Sequence, residues 1–420
     1  MPPQDDDSTD KYDDAPRPGE KGSTIKIDAP KEGRVLIVGA GIGGLAAAVA
    51  LRKAGYGVMI FEKAPELKEV GAGLTLQINA MRALRTLNLD DNVATAGTVI
   101  RKTAYKTWRG TKLLEIPLDN MARELGSPQV VSLHRAWMQS LLYGGVGRDQ
   151  LYLGCTVTNY QASEHAVVVN FNHIDPATKA MQSRTVDGKV LIGADGLRST
   201  IRRQLLGESE PRYSGYTTWR GITIPGDFGN PELASESFGP GARFGIAPIG
   251  NNCVSWSASA NSPPDERDEP GKVRLALIKR FNGWHQPIAR LIENTPDQQI
   301  VRQDIYDRPP TGKWGEGPIS LLGDAAHPMT PDMGQGACQA IEDAVVLADS
   351  LSWSRNLNEG LRLYERRRMA RAHWFVEESW RLGQEGQLEG AFGRWMRDTS
   401  LRFMPGPTLQ RLRTAMTFYL

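Results

Sequence analysis

Residues 35–62 read V-L-I-V-G-A-G-I-G-G-L-A-A-A-V-A-L-R-K-A-G-Y-G-V-M-I-F-E, and the reading of this stretch decides the fold. The apolar, β-branched run Val35–Val38 has the composition of a parallel strand buried on both faces. Gly39, Gly41 and Gly44 follow in G-x-G-x-x-G spacing, an Ala-rich helical pattern leaves them, and Gly55 ends it. Val58–Phe61 then reads as a second strand, closing on Glu62. Gly39 permits a tight turn out of the first strand, Gly41 admits a pyrophosphate to bare backbone at the positive end of a helix, and Gly44 lets helix and strand pack closely. Glu62 stands where a carboxylate accepts hydrogen bonds from ribose hydroxyls. The uncharged run 35–51 is not a membrane span: it is short, it holds four glycines, and Arg52-Lys53 close it inside the helix. The unit specifies a dinucleotide without saying which one.

Outward from this unit, 420 residues suffice for two or three domains. A formal charge of +2 on an ordinary globular composition points to neither nucleic acid nor an acidic partner. Cys155, Cys253 and Cys338 lie far apart and form no C-x-x-C, which fits a reducing compartment; six scattered histidines give no metal motif. Residues 1–33 carry Asp5-Asp6-Asp7, Asp10 and Asp13-Asp14 with almost no apolar residue, so a disordered tail is expected, too acidic for an organellar transit peptide. The expected location is cytoplasmic.

After Glu62, Glu69-Val-Gly-Ala-Gly-Leu-Thr-Leu reads as a glycine loop entering a strand, and a helix follows with Asn79 as its cap. Residues 98–118 alternate as strands, and His134-Arg135 opens a helix over 136–144. Leu151–Val157, Ala166–Phe171 and Arg184–Val190 read as consecutive antiparallel strands, with turns at Asp175-Pro176 and Asp187-Gly188. Val190-Leu-Ile-Gly-Ala-Asp-Gly-Leu-Arg-Ser is a buried strand, a turn carrying Asp195-Gly196, and a helix start at Ser199. From Tyr213 to about Asp304 strands alternate with Pro/Gly loops, the grammar of a second, sheet-based domain with one helix at 273–281. Pro318–Leu322 returns to a buried strand, followed by G-D-A-A-H-P-M-T-P-D-M-G-Q-G (323–336) and a long helix over 337–351. Beyond Asn358 the chain is helical, with Arg362, Arg366, Arg367, Arg368 and Arg371 expected on a solvated face and Trp374, Trp380 and Trp395 as packing anchors.

Three separated motifs then need one explanation. Asp195 and Asp324 each follow a strand able to join the parallel sheet, and a plain dinucleotide dehydrogenase needs neither. A longer cofactor does, with a ribityl chain for Asp324 and a ring edge for the backbone N–H groups of Gly334, Gly336 and Ala337. On these residues the chain resembles the class A FAD-dependent aromatic hydroxylases, with the para-hydroxybenzoate hydroxylase type of fold. G-A-G-I-G-G with Glu62, L-I-G-A-D-G, and L-L-G-D-A-A-H-P-M-T-P-D-M-G-Q-G-A-C-Q-A-I-E-D-A match that family's motifs in order and spacing from about residue 33 onward. Tyr213-Ser-Gly-Tyr-Thr-Thr-Trp-Arg-Gly and Arg243-Phe-Gly-Ile-Ala-Pro are similar to its salicylate hydroxylase, urate hydroxylase and zeaxanthin epoxidase branch. Ile78-Asn79-Ala80 departs from the branch's P-N-A, and Ser255-Trp256 stands where urate enzymes carry a Tyr, which argues against urate as substrate.

The resemblance implies an α/β fold: a Rossmann-type FAD-binding domain (34–97, 131–212, 305–357), interleaved with a β-sheet substrate domain (98–130, 213–304), and a C-terminal helical region (358–420). It implies that Gly39, Gly41 and Gly44 cradle the pyrophosphate of FAD and that Glu62 holds the adenosine ribose. Arg135 would reach the phosphate–ribityl region, Asp195 would shape the cofactor and nicotinamide approach, and Asp324 would bind the ribityl chain. Pro331, Gly334, Gly336, Ala337 and Gly73 would flank the isoalloxazine. Arg220 and Arg243 are the candidate catalytic residues, each set against an ordinary salt bridge; Tyr216 is expected in the core and His327 as a loop hydrogen-bonder. The implied reaction uses NADH or NADPH as a transient reductant and O2, through a flavin C4a-hydroperoxide, to hydroxylate or epoxidise a small aromatic or polycyclic compound. Gly239-Pro-Gly241-Ala-Arg-Phe-Gly245 imitates a second dinucleotide loop with the wrong spacing, so NAD(P)H is expected to dock without a fold of its own. The rivals are a flavin halogenase, for which Trp219-Arg-Gly-Ile-Thr-Ile-Pro225 lacks the second Trp, a reductase of the same fold, and a catalytically silent flavin-binding protein. No transmembrane segment is expected, and a homodimer is left open.

Overall fold

The computed structural model describes residues 34–418 except 68–72, 165, 176–177, 179 and 225–229. The 1–33 tail, the 69–72 part of the glycine loop, Pro176 and Pro225 lie outside the described residues.

The Val35–Val38 strand is central and fully buried, because it takes a parallel neighbour on each side, Val190–Gly193 and Val58–Phe61. Ile319–Leu321 and Leu151–Tyr152 extend the sheet in parallel, and Gly315–Glu316 closes one edge as a hairpin. Val38, Gly193 and Leu321 stand in register, so the three motif loops leave the sheet side by side at its carboxyl end. That edge is where open parallel sheets bind ligands. Helices Ile42–Lys53 and Gly336–Trp353 cover one face, nested through Gly43 against Leu322 and Ala340.

The second layer is a seven-stranded sheet built from residues 102–117 and 212–307, ordered Val301–Asp307, Arg212–Thr223, Cys253–Asn261, Ala242–Gly250, Leu233–Gly239, Lys102–Thr107, Lys112–Pro117. One face buries Trp219, Phe244 and Trp256 with Phe281, Leu291 and Ile292 of short helices in a core of its own. The other face looks toward the parallel sheet, across a small sheet of Gly73–Leu76, Val130–His134 and Thr98–Ile100. The imitation loop 239–245 is a β-hairpin with Gly241 at φ +55°.

Several local expectations are corrected. Leu151–Val157 is two strands: Leu151–Tyr152 pairs in parallel with Ile60–Phe61, and only Cys155–Ala162 joins the antiparallel sheet. Asp187-Gly188 remains in the Met181–Gly188 strand, paired to Val167 and Val168, so Lys189 alone separates it from Val190. Asn79 is not a cap; Gln77 holds that position, and Asn79 is buried in the helix Ile78–Thr86. Nor is the arginine face of helix Leu357–Gly386 simply solvated: Arg368 is 1% exposed, ion-paired to Glu342 and Asp343, and Arg371 joins Glu342. Spacing could not reveal this, because the two carboxylates lie on another helix. Trp380 packs under the Arg212 guanidinium and Trp374 against Phe375, but Trp395 is 62% exposed. Among the described residues no helix is long and apolar enough to cross a membrane.

Candidate functional site

The first loop divides its work among three glycines. Gly39 sits at φ +101°, and a Cβ there would strike the Ala194 carbonyl across the strand pair. At Gly44 a Cβ would strike the Gly39 carbonyl oxygen, so its absence sets how closely helix Ile42–Lys53 approaches its strand. At Gly41 a Cβ would meet nothing within 4 Å. That position is bare for something other than protein, at the N-terminus of a twelve-residue helix whose first turn holds no acid. Glu62 is tied beside it: Oε2 accepts from Ala40 N (2.8 Å) and Oε1 from Ala64 N (2.9 Å), which aims the carboxylate along the rim.

The neighbouring motif behaves differently. Both Asp195 oxygens are used on the helix that follows, accepting from Ser199 Oγ (2.5 Å), Thr200 N (2.7 Å) and Ile201 N (3.3 Å), while Ser199 caps that helix as its sequence suggests. Burial raises the Asp195 carboxyl above its usual range, and these donors pull it back. Asp195 thus shapes the turn through a cap, and its carboxylate is already engaged there.

Asp324 is the opposite case. It lies exposed to the cleft at the end of the Ile319–Leu321 strand, with no hydrogen bond or ion pair among the described residues. Surrounding protein raises its carboxyl, which Arg135 and His327 partly counter. Arg135 is exposed in the first turn of helix Arg135–Val146, capped by His134, whose Nδ1 accepts from Ala136 N. Pro331 and Gly334 are also exposed, Gly336 and Ala337 half-buried, and Gly334 (φ +62°) turns the chain into helix Gly336–Trp353. Bare glycine backbone, an unpartnered carboxylate and a helix N-terminus therefore line one cleft, and a ligand with a pyrophosphate, a polyhydroxy chain and an electron-poor ring fits them. Gly73, also half-buried, packs on the seven-stranded sheet, donating its N–H to Ser255 Oγ (3.0 Å).

The Asp324 loop is pinned from beneath by groups that the sequence reading left without a role. Asp343 accepts from Gly323 N (3.0 Å), His327 Nε2 (2.6 Å) and Arg368 Nε (2.7 Å). Burial would raise its carboxyl, but His327 and Arg368 hold it at about 2. Glu342 takes Asn79 Nδ2 (2.6 Å), Arg368 and Arg371, and Gln335 bridges Asn79 to Gln77. The visible signal was the E-D pair closing the third motif; its arginine partners lie in another helix. His327 is a loop hydrogen-bonder, as expected.

On the sheet side, Arg243 is buried and paired with Asp332, with Glu236 at 3.3 Å, and it lies over the Tyr216 ring. Tyr216 donates its hydroxyl to Asp332 Oδ2 (2.8 Å). Asp332 follows Pro331, so this cluster ties the sheet to the loop that starts the long helix. The carboxylates raise Arg243 still further above the usual arginine range despite burial. Arg220 is half-buried and has no carboxylate partner among the described residues; it donates to Gln303 Oε1 (3.0 Å). Burial, then the charge of Arg135, lowers its pKa. Of the two arginines, Arg243 is ion-paired and Arg220 has no carboxylate partner among the described residues. Trp219, on the opposite face, is buried and donates to Asp268.

Residues 32–379 match the family described as FAD binding domain. Aurachin C monooxygenase/isomerase of Stigmatella aurantiaca is 47% identical over 370 residues, which cover 88% of this chain and 94% of that protein. FAD-dependent urate hydroxylase of Klebsiella pneumoniae is 32% identical over 347 residues, 82% of this chain and 88% of that one. A crystal structure of Klebsiella pneumoniae HpxO complexed with FAD and uric acid aligns at TM-score 0.83 and 28% identity, over 91% of this chain and 96% of that chain. Chloroplastic zeaxanthin epoxidase of an Oncidium hybrid cultivar is 32% identical, but this chain spans only 53% of its length. The chain belongs to the FAD-binding-domain family of class A flavoprotein monooxygenases.

Proposed function

We propose that the chain takes electrons from NADH or NADPH and inserts one atom of O2 into a small aromatic or polycyclic compound, held between the Arg220 face of the seven-stranded sheet and a bound FAD. Bound FAD supplies the two-electron activation of O2, one oxygen going to the substrate and the other leaving as water. Gly39, Gly41 and Gly44 would receive its pyrophosphate, Glu62 its adenosine ribose, Arg135 and Asp324 its ribityl and phosphate groups, and Gly334, Gly336 and Ala337 the edge of its ring. Pro331 would border the substrate side. Asp195 and Gly73 would act one step back, by fixing a turn and by spacing the glycine loop from Ser255.

The observation that carries the reading is the pairing, on one sheet edge, of a bare Gly41 with an Asp324 that has no partner among the described residues, together with an arginine that no described carboxylate neutralises. Arg220 would orient an oxygen-bearing substrate and keep negative charge stabilised near the ring, while the sheet and the C-terminal helices exclude water. Arg243 would act through Asp332, holding the Pro331 loop in place. We further infer that urate is not the substrate, because Ser255 is small and engaged with the Gly73 backbone.

The test begins with the purified protein: flavin absorbance, then NADPH and NADH oxidation with and without candidate phenols and heteroaromatics. A colourless protein that takes up no FAD overturns the reading. FAD binding without any ligand-stimulated NAD(P)H oxidation would favour a silent flavoprotein, and halide-dependent products a halogenase.

A further inference from the structure

The face of the seven-stranded sheet that looks toward the cofactor cleft carries one row of residues in register: Val301, Arg220, Ser257, Gly245, Glu236 and Tyr105. Its middle is small, with Ser257 and Gly245 flanked by Ser255 and Ala247, whereas the opposite face is filled by Trp219, Phe244 and Trp256. Ser255 is covered by the Gly73 backbone, but a Cβ built at Gly245 would meet only Ser257, so the middle of the row is left as a floor. The floor has a cation at one end and a carboxylate at the other. Arg220 and Glu236 stand three strands apart, about 14 Å between their Cα atoms at the usual strand spacing. Arg220 reaches outward to Gln303 and Glu236 toward Arg243, so the small residues between them leave a span long enough for one or two fused rings.

Glu236 was not singled out by the sequence, although S-E-S-F places it on the face of Phe238 by simple alternation. Its Oε1 makes a loose 3.3 Å contact with Arg243, whose closer partner is Asp332. Its Oε2 accepts no hydrogen bond among the described residues, and the side chain keeps 28% of its surface accessible although Tyr105, Arg243 and Arg397 surround it. Gly245, the cross-strand neighbour, has no side chain to cover it. A carboxylate oxygen with a free lone pair, at the end of a smooth floor, calls for a donor.

We propose that Glu236 is a substrate-anchoring residue: Oε2 accepts a hydrogen bond from an N–H or O–H at one end of a ring system whose opposite end presents an oxygen to Arg220. The substrate class is then an oxo- or hydroxy-heteroaromatic, or a diphenol, with donor and acceptor opposed across the ring. This deepens the monooxygenase reading and rests on it.

The test uses FAD-loaded enzyme titrated with 4-quinolone and with 1-methyl-4-quinolone, followed by the perturbation of flavin absorbance. The pair shares the carbonyl acceptor and differs in the N–H donor. Wild type is expected to bind the N–H compound at least about tenfold more tightly, the ordinary worth of a hydrogen bond to a charged group. E236Q should reduce that preference and E236A should bring it within about twofold, both at unchanged flavin content and melting temperature. R220Q should weaken both compounds alike. Equal binding of the two quinolones by wild type, binding of neither, or a preference that survives in E236A overturns the inference while leaving the monooxygenase reading intact. Protein that takes up no FAD overturns both.

Discussion

Gly41 and Gly44 differ by three positions and should fail in opposite ways when each becomes alanine. At Gly41 the new methyl group meets no protein atom within 4 Å, and the backbone (φ −69°, ψ 178°) is open to any residue. Exchanging Gly for Ala at this N-cap costs on the order of 0.5 kcal/mol of helix stability at most. The apo G41A protein should therefore melt within about 2 °C of wild type. The methyl group does, however, stand where a pyrophosphate oxygen must approach the helix amides. Losing one or two charge-assisted hydrogen bonds weakens binding by roughly 10- to 100-fold or more. At Gly44 the methyl group would lie far inside 3.0 Å of the Gly39 carbonyl oxygen, which is backbone and cannot rotate away. The helix must then lift from the central strand, an overpacking cost of about 3 kcal/mol or more, enough to lower the apo Tm by several degrees. The assays are thermal denaturation of both apo variants and FAD titration by quenching of flavin fluorescence. G41A with wild-type FAD affinity would refute the assignment of the open position, and G44A with a wild-type apo Tm would refute the packing argument.

Two aspartates provide a parallel contrast. D195A removes the cap contacts of the helix at Thr200 and should cost about 1–2 kcal/mol of apo stability by denaturant titration. D324A should leave apo stability unchanged or slightly improved, since the carboxylate has no partner among the described residues, yet weaken FAD at least about tenfold in equilibrium dialysis. Asp343 should govern acid sensitivity. Its folded pKa of about 2 lies below the unfolded value near 3.8, so its contribution, on the order of 2 kcal/mol, is present above pH 4 and lost as pH falls through 2. D343N should be destabilised by about 3 kcal/mol at pH 7, and the gap to wild type should narrow between pH 4 and 2 in urea melts. R243M should leave Asp332 without its cation, held by the Tyr216 hydroxyl, and lower substrate-stimulated NAD(P)H oxidation more than FAD content, measured on the same preparation; equal loss of both would show instead that the whole site had collapsed.

The parts of the fold legible in the sequence were those specified locally. Val35–Glu62 carries strand, turn, helix and strand in a single run, and each of its three glycines can be assigned by geometry. Ser199 read as a helix start, and its hydroxyl accepts from Arg202 N three residues on; His134 also stands at a helix start, where its ring Nδ1 accepts from Ala136 N. What could not be read depends on partners far apart in the chain. Asn79 looked like a cap by residue type, but Gln335 and Glu342, more than 250 positions later, supply its hydrogen bonds. Arg368 looked like one arginine of a solvated run until Glu342 and Asp343 were brought beneath it. Arg243 and Arg220 were both read from the sequence as substrate-side candidates against an ordinary salt bridge; the position of Asp332 separates the ion-paired one from the other.

These distant partners converge on one loop, and that convergence says how cofactor and substrate sides communicate. Residues 323–337 are held from below by Asp343 through the Gly323 N–H and His327, and at their far end by Gln77 and Asn79 through Gln335. They are held from the sheet by Arg243 and Tyr216 through Asp332. Asp332 lies between Pro331, which faces the cleft, and Gly334, which turns the chain into the helix whose N-terminus is proposed to receive the cofactor ring. A substrate resting on the proposed Ser257–Gly245 floor would lie beside two such contacts, Arg243, buried between two carboxylates and over the Tyr216 ring, and the Tyr216 hydroxyl itself. Close-packed side chains with fixed partners transmit displacements rather than absorb them. The Arg243–Asp332 pair, which reads as a plain structural salt bridge when taken alone, therefore joins the sheet proposed to carry the substrate to the loop proposed to border the flavin, and R243M tests whether the two are coupled.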